Sequence, residues 1–195
     1  MKDYEVRDLS LAPSGHQKIE WVRAHMPLLR GLEEEFSQTK PFTGVKVTLS
    51  VHLEAKTAYL CKVLAAGGAQ MSITGSNPLS TQDDVAAALA DCGFHVYAYH
   101  GATPEEYERH IEMSLEQKPN IIIDDGADLV SCVHEKRPDL AEEVWGGCEE
   151  TTSGIIRLKA MENQGLLKFP MAAVNDADCK HLFDNRYGTG QSTWD

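Results

Sequence analysis

The chain has no Cys-x-x-Cys pair; its five cysteines, Cys61, Cys92, Cys132, Cys148 and Cys179, are scattered and odd in number. That pattern argues against a disulfide framework or a cysteine-ligated zinc site, and it reads as reduced thiols of a cytoplasmic protein. No apolar run approaches the ~18 residues a membrane span needs. The opening "MKDYEVRDLSLAPSGHQKIEW" lacks the apolar core of a signal peptide. Basic residues are scarce: 18 Lys and Arg stand against 30 Asp and Glu, a net charge of −12. A surface that neutralises nucleic-acid phosphates is therefore not expected. There is no internal repeat, low-complexity tract or Pro/Gly-rich linker. The G-x-G-x-x-G fingerprint is missing as well. The one G-x-G, Gly188 and Gly190 in "YGTGQST", has no strand just before it and no third glycine.

What is present alternates regularly. His16–Gln38 carries Ile19, Val22, Met26, Leu29 and Leu32 at helical spacing and predicts one long amphipathic helix, kinked at Pro27. Strands are predicted at Lys46–His52, Gln70–Ser76, His95–Gly101, Asn120–Gly126 and Phe169–Asp176. Helices are predicted at Ala55–Gly68, Ser80–Gly93 (opened by N-cap chemistry), Thr103–Gln117, Leu129–His134, Pro138–Val144 and Glu149–Gly165. Such alternation predicts one α/β domain over residues 1–195. Its fold is a three-layer, flavodoxin- or Rossmann-like arrangement of a mostly parallel sheet with helices on both faces. Ligands of such sheets bind beyond the carboxyl ends of the strands.

Those ends are polar: "HLEAKTA" from His52, "GSNPLSTQDD" from Gly75, "DDGAD" from Asp124 and "NDADCK" from Asn175, with "CEETTSG" at Cys148–Gly154. Taken singly each has an ordinary explanation. His52 supports a turn, Asp124 and Asp125 form one, and Thr151, Thr152 and Ser153 satisfy a helix start. Lys180 and Asp184, at i and i+4 on one helix face, make a surface pair worth about 0.3–0.5 kcal/mol. Four such clusters at one sheet edge argue for a site. "HLE" matches half of the zinc deaminase signature, but its P-C-x-x-C partner is missing, so no metal is expected.

The segments "HLEAKTA", "SNPLSTQDDVAAAL", "IIIDDGADL", "EETTSGI" and "AVNDADCKHLFDNRYGTGQS" resemble the S-adenosyl-L-homocysteine hydrolase family, in order and at matching separations. The resemblance covers essentially the whole chain. It implies the substrate-binding domain of such an enzyme, with the NAD-binding domain absent from this chain. The implied reaction is reversible hydrolysis of S-adenosylhomocysteine to adenosine and homocysteine, through NAD-dependent oxidation of the ribose 3′-hydroxyl and elimination. The implied roles are residue by residue. Lys180 and Asp184 face the ribose hydroxyls, Asp125 lies near C4′ and C5′, His52 sits at the 5′ side, and Glu150 orders the ribose and the lysine. Glu54, Thr57 and Gln82 fall where the base is recognised, and Thr151, Thr152, Ser153 and Asn185 where NAD touches this domain. The family further implies a homo-oligomer for the complete enzyme. A different class of function, a nucleoside-binding or regulatory module without catalysis, is the alternative; the intact acid–base set favours the first.

Overall fold

The computed structural model describes residues 3–194. Seven strands form a single sheet: β1 (Tyr4–Glu5), β2 (Lys46–Val51), β3 (Gln70–Gly75), β4 (His95–Tyr97), β5 (Ile121–Asp124), β6 (Gly146–Glu149) and β7 (Met171–Ala173). Their order is β1-β4-β3-β2-β5-β6-β7, and every pairing is parallel. The principal helices are α1 (Ala12–His25), α2 (Pro27–Thr39), α3 (Ala55–Ala66), α4 (Asp83–Asp91), α5 (Pro104–Ser114), α6 (Asp128–Glu135), α7 (Thr152–Asn163) and the short α8 (Asp178–His181). The expected open α/β sheet with helices on both faces is what forms.

Alternation along the strands sorts the core into two layers. Val47 and Leu49 of β2 pack with Ile19, Tyr59 and Leu89 from α1, α3 and α4. Ile122 of β5 packs on the other face with Ile111, Leu129 and Leu158 from α5, α6 and α7. The chain builds β2, β3 and β4 outward in one direction, then returns so that β5 lies against the other side of β2. The crevice between the carboxyl ends of β2 and β5 is thus the topological switch point, where open α/β sheets take their ligands.

Several local expectations are corrected. The long helix His16–Gln38 is two helices and starts earlier, at Ala12; Met26 leaves helical geometry (φ −116°, ψ 75°) because Pro27 excludes the α region for the residue before it. The helix expected from Ser80 begins at Asp83, and its N-cap residue Gln82 makes no capping side-chain bond. Pro138–Val144 holds only a 3-10 turn at Pro138–Leu140. Glu149 is the last residue of β6, not the start of a helix. That strand, Gly-Gly-Cys-Glu, has no β-branched residue to announce it. Its glycines are there for space: a Cβ on Gly147 would come within 2.5 Å of the Ile122 carbonyl oxygen. Strand β1, two residues long, is too short to show a period.

Candidate functional site

His52 follows β2 and Asp125 follows β5, so the switch point sets them face to face. His52 Nε2 lies 3.4 Å from Asp125 Oδ2. Both are held from behind by the loop after β3. Ser76 Oγ donates to Asp125 Oδ2 at 2.7 Å, and Ser80 Oγ lies 2.5 Å from His52 Nδ1. Ser80 Oγ also donates to the Asn77 carbonyl oxygen. With that donation made, it accepts from Nδ1–H and the ring orientation is fixed. The Asp125 side chain is nearly buried, whereas His52 is half exposed toward the cleft.

The second half of the site comes from β6 and the segment after β7. Lys180 on α8 points its ammonium at four acceptors. Asn185 Oδ1 is 2.8 Å away, Asn175 Oδ1 2.9 Å, Glu150 Oε1 3.3 Å and Asp184 Oδ2 4.0 Å. Lys180 and Asp184 do not share one helix face as expected. Helix α8 ends at His181, and Asp184 opens a wider π-helical turn, Asp184–Gly190. Across that break their separation exceeds a hydrogen bond. Burial raises the pKa of Glu150; the nearby Lys180 ammonium pulls it back down, and Asp125 adds to the rise. Asn175 is itself buried, and Thr152 Oγ1 donates to its Oδ1 at 3.3 Å.

Together these groups line a cleft of about 440 Å³. It contains His52, Asp125, Glu150, Thr151, Thr152, Lys180, Asp184 and Asn185, and it adds Asn175 and Thr189. Glu54 and Gln82 instead line a shallower groove of about 690 Å³ along α1, with Trp21, Lys18 and Lys56. There the Glu54 carboxylate caps α3, accepting from the backbone N–H groups of Lys56 and Thr57. Gln82 Oε1 accepts from Lys18 Nζ at 3.0 Å, leaving its amide N–H groups free of that bond. Thr57 is buried and Ser153 exposed; neither lines the cleft or the groove. A further cavity of about 710 Å³, walled by Val144, Met161 and Leu166, lies at the amino-end side of the sheet, away from these strand ends.

Sequence reasoning passed over Asn175, Ser76 and Ser80. Each was visible as a polar residue just past a strand, but its partner is distant in the chain and only the fold supplies it. The described side chains show what the arrangement can do. A carboxylate–histidine pair and a lysine–glutamate pair face one space, which suits proton transfer to and from a bound polyol.

Comparison with known proteins gives the family. The family model described as S-adenosyl-L-homocysteine hydrolase matches residues 3–144 and 135–187. The chain is 58% identical over 192 residues to S-inosyl-L-homocysteine hydrolase of Methanocaldococcus jannaschii, covering 98% of this chain and 46% of that protein. It is 58% identical over 194 residues to the adenosylhomocysteinase of Thermococcus kodakarensis, covering 100% and 46%. It is 53% identical to the adenosylhomocysteinase of Aquifex aeolicus, covering 99% and 46%. The chain thus spans a little under half the length of the curated relatives it matches.

Proposed function

From the chain's membership of the S-adenosyl-L-homocysteine hydrolase family, we propose that residues 1–195 form the substrate-binding part of an enzyme that cleaves a nucleosidyl-homocysteine to a nucleoside and L-homocysteine. The observation that carries this reading is the gathering of His52, Asp125, Glu150, Lys180 and Asp184 around one cleft at the switch point. The relatives' names divide between adenosyl and inosyl substrates, so either purine nucleoside is a candidate. No helix among the described residues is long and apolar enough to cross a membrane. We place the protein in the cytoplasm, in line with its free cysteines. For the complete protein we propose a homo-oligomer.

In the proposed reaction Lys180, as the neutral amine, takes the proton of the ribose 3′-hydroxyl. In the resting site its Nζ faces Asn175, Asn185, Glu150 and Asp184, all through acceptor oxygens. Glu150, with its raised pKa and 3.3 Å from the amine, is the group able to hold the displaced proton. Asp184 accepts from the neighbouring hydroxyl. Asp125 removes the C4′ proton once C3′ is a ketone and gives it back to C4′ when water adds at C5′. His52, steered by Ser80, donates to the departing homocysteine sulfur and later takes a proton from the incoming water. NAD, when bound, supplies the hydride acceptor for the oxidation at C3′. The hydroxyls of Thr151 and Thr152 and the amide of Asn185 line the cleft and would hold it from this side, and the exposed Ser153, just outside the cleft, would add a further hydroxyl.

The test is a calorimetric titration of the 195-residue chain with adenosine and with inosine, with and without NAD. A cleft with one wall leaves its ligand partly wet, so each hydrogen bond competes with water. Dissociation constants on the order of 0.1–1 mM are expected, about 4–5.5 kcal/mol. Absence of binding by either nucleoside at several millimolar would overturn the reading.

A further inference from the structure

One buried acid lies directly beneath the cleft and takes no part in the proton transfers above. Glu149 ends β6 and is fully buried. Among the described residues no cation pairs with its carboxylate. Instead it accepts from three backbone N–H groups: Oε1 from Gly126 at 2.9 Å and from Thr151 at 2.9 Å, and Oε2 from Ala127 at 3.0 Å.

These donors belong to two separate loops. Gly126 and Ala127 follow Asp125 on the turn into α6, where Gly126 (φ 108°) and Ala127 (φ 63°) both take left-handed conformations. Such a turn, with a non-glycine residue at positive φ, persists only when its surroundings hold it. Thr151 follows Glu150 at the start of α7. One carboxylate therefore ties the backbone beside Asp125 to the backbone beside Glu150. The same two segments are also joined by the Glu150 N–H, which donates to the Asp124 carbonyl oxygen at 3.0 Å, and by Arg157 of α7, which donates to the Gly126 carbonyl oxygen.

The space for this carboxylate is kept open. A Cβ at Gly154, on the first turn of α7, would lie 2.2 Å from the Glu149 carboxyl carbon. All three partners are donors, so a proton on either oxygen would face an N–H and displace a bond. Their pull toward the ionised form opposes the rise in pKa that burial causes. An apolar residue here would leave three N–H groups unpaired, that of Ala127 buried and those of Gly126 and Thr151 part-buried.

We propose that Glu149 is a positioning residue: it sets the separation and aim of Asp125 and Glu150 by clamping both of their loops through the backbone. The contact with ribose passes through those two neighbours, so this role rests on the function proposed above.

The experiment compares the parent chain with Glu149→Gln and Glu149→Asp. Gln keeps the size but turns an N–H₂ toward a backbone donor. Asp keeps the charge but is one methylene short of spanning both loops. Two readouts are taken. Hydrogen exchange of the Gly126, Ala127 and Thr151 amides tests the clamp without any ligand; it is expected to quicken by about tenfold or more in the variants. The ratio of the dissociation constants of 2′,3′-dideoxyadenosine and adenosine tests the positioning. In the parent, adenosine binds more tightly; in either variant the ratio falls on the order of tenfold, toward one. A purely structural role lowers the folded fraction but leaves that ratio unchanged, and an unchanged ratio in a folded variant overturns the proposal. Unchanged amide exchange overturns it too. A parent chain without ribose discrimination overturns the functional reading instead, while the exchange result still decides the clamp. If neither variant folds, scalar couplings across the hydrogen bonds, from the three amide nitrogens to the Glu149 carboxyl carbon of the parent chain, decide it: their presence supports the clamp and their absence overturns it.

Discussion

At the scale of single residues, the cleft is organised around a cation that is almost enclosed by acceptors. Lys180 gives the most direct prediction. Lys180→Ala, made in this chain joined to the remaining part of a full-length relative, should slow oxidation of the 3′-hydroxyl by about a hundredfold to ten-thousandfold, roughly 3–5.5 kcal/mol of barrier. Nucleoside affinity should change far less, because the proton transfer is felt mainly in the transition state. Single-turnover absorbance of the reduced nicotinamide checks it, and reduction at the parent rate would show the lysine to be only a structural tie. His52, Asp125, Glu150 and Lys180 were legible because motif strings place them at strand ends. Ser80 and Asn175 were not, since a serine or an asparagine after a strand reads first as a turn former. Their partners, His52 and Lys180, reach them only through the fold. Glu149 was overlooked for a sharper reason: two adjacent glutamates look alike in sequence, and the strand sends one to the cleft and the other into the interior.

At the scale of elements, the regular helices were readable and the junctions were not. Thr103-Pro104 opens α5 as its sequence suggests, and Glu106 completes a capping box with Thr103. Strand β6 hid in two glycines, which serve close packing and carry no strand propensity. The junction between β5 and α6 carries a prediction of its own. Burial pushes the Asp124 carboxyl up to about 8, opposed by donation from the Val130 and Asp125 N–H groups and aided by the Glu149 and Asp128 charges. The unfolded carboxyl titrates near the usual ~3.9. Between these values the folded state binds more protons than the unfolded one, so this group's contribution is fully present below pH ~4 and is lost as pH rises toward 8. Asp124→Asn removes that dependence. Denaturant melts should show the stability of the parent relative to the variant falling from pH 5 to pH 8, by on the order of a few kcal/mol. A constant difference would mean that Asp124 is ionised throughout.

At the scale of the whole molecule, the alternation of strands and helices foretold the sheet, while the order of strands came from the structure. Parallel pairing on both sides of β2 puts residues from four strand ends around one cleft. Purified alone, the 195-residue chain is expected to show no steady-state hydrolysis or synthesis of nucleosidyl-homocysteine, even with added NAD. Its sequence holds no G-x-G-x-x-G turn to cradle a pyrophosphate, and it spans 46% of its relatives. An assay of homocysteine release checks this, and any sustained release assigns the missing cofactor contacts to this chain. The reversal of strand order at β2 also has a kinetic side. His52 meets Asp125 only after β5 has found β2 across the intervening β3, β4 and α5, a closure between parts of the chain far apart in sequence. Such non-local pairings are slow to form. During refolding, helical signal should therefore return well before nucleoside binding, because a chain that has assembled β2, β3 and β4 alone owns only one side of its binding crevice.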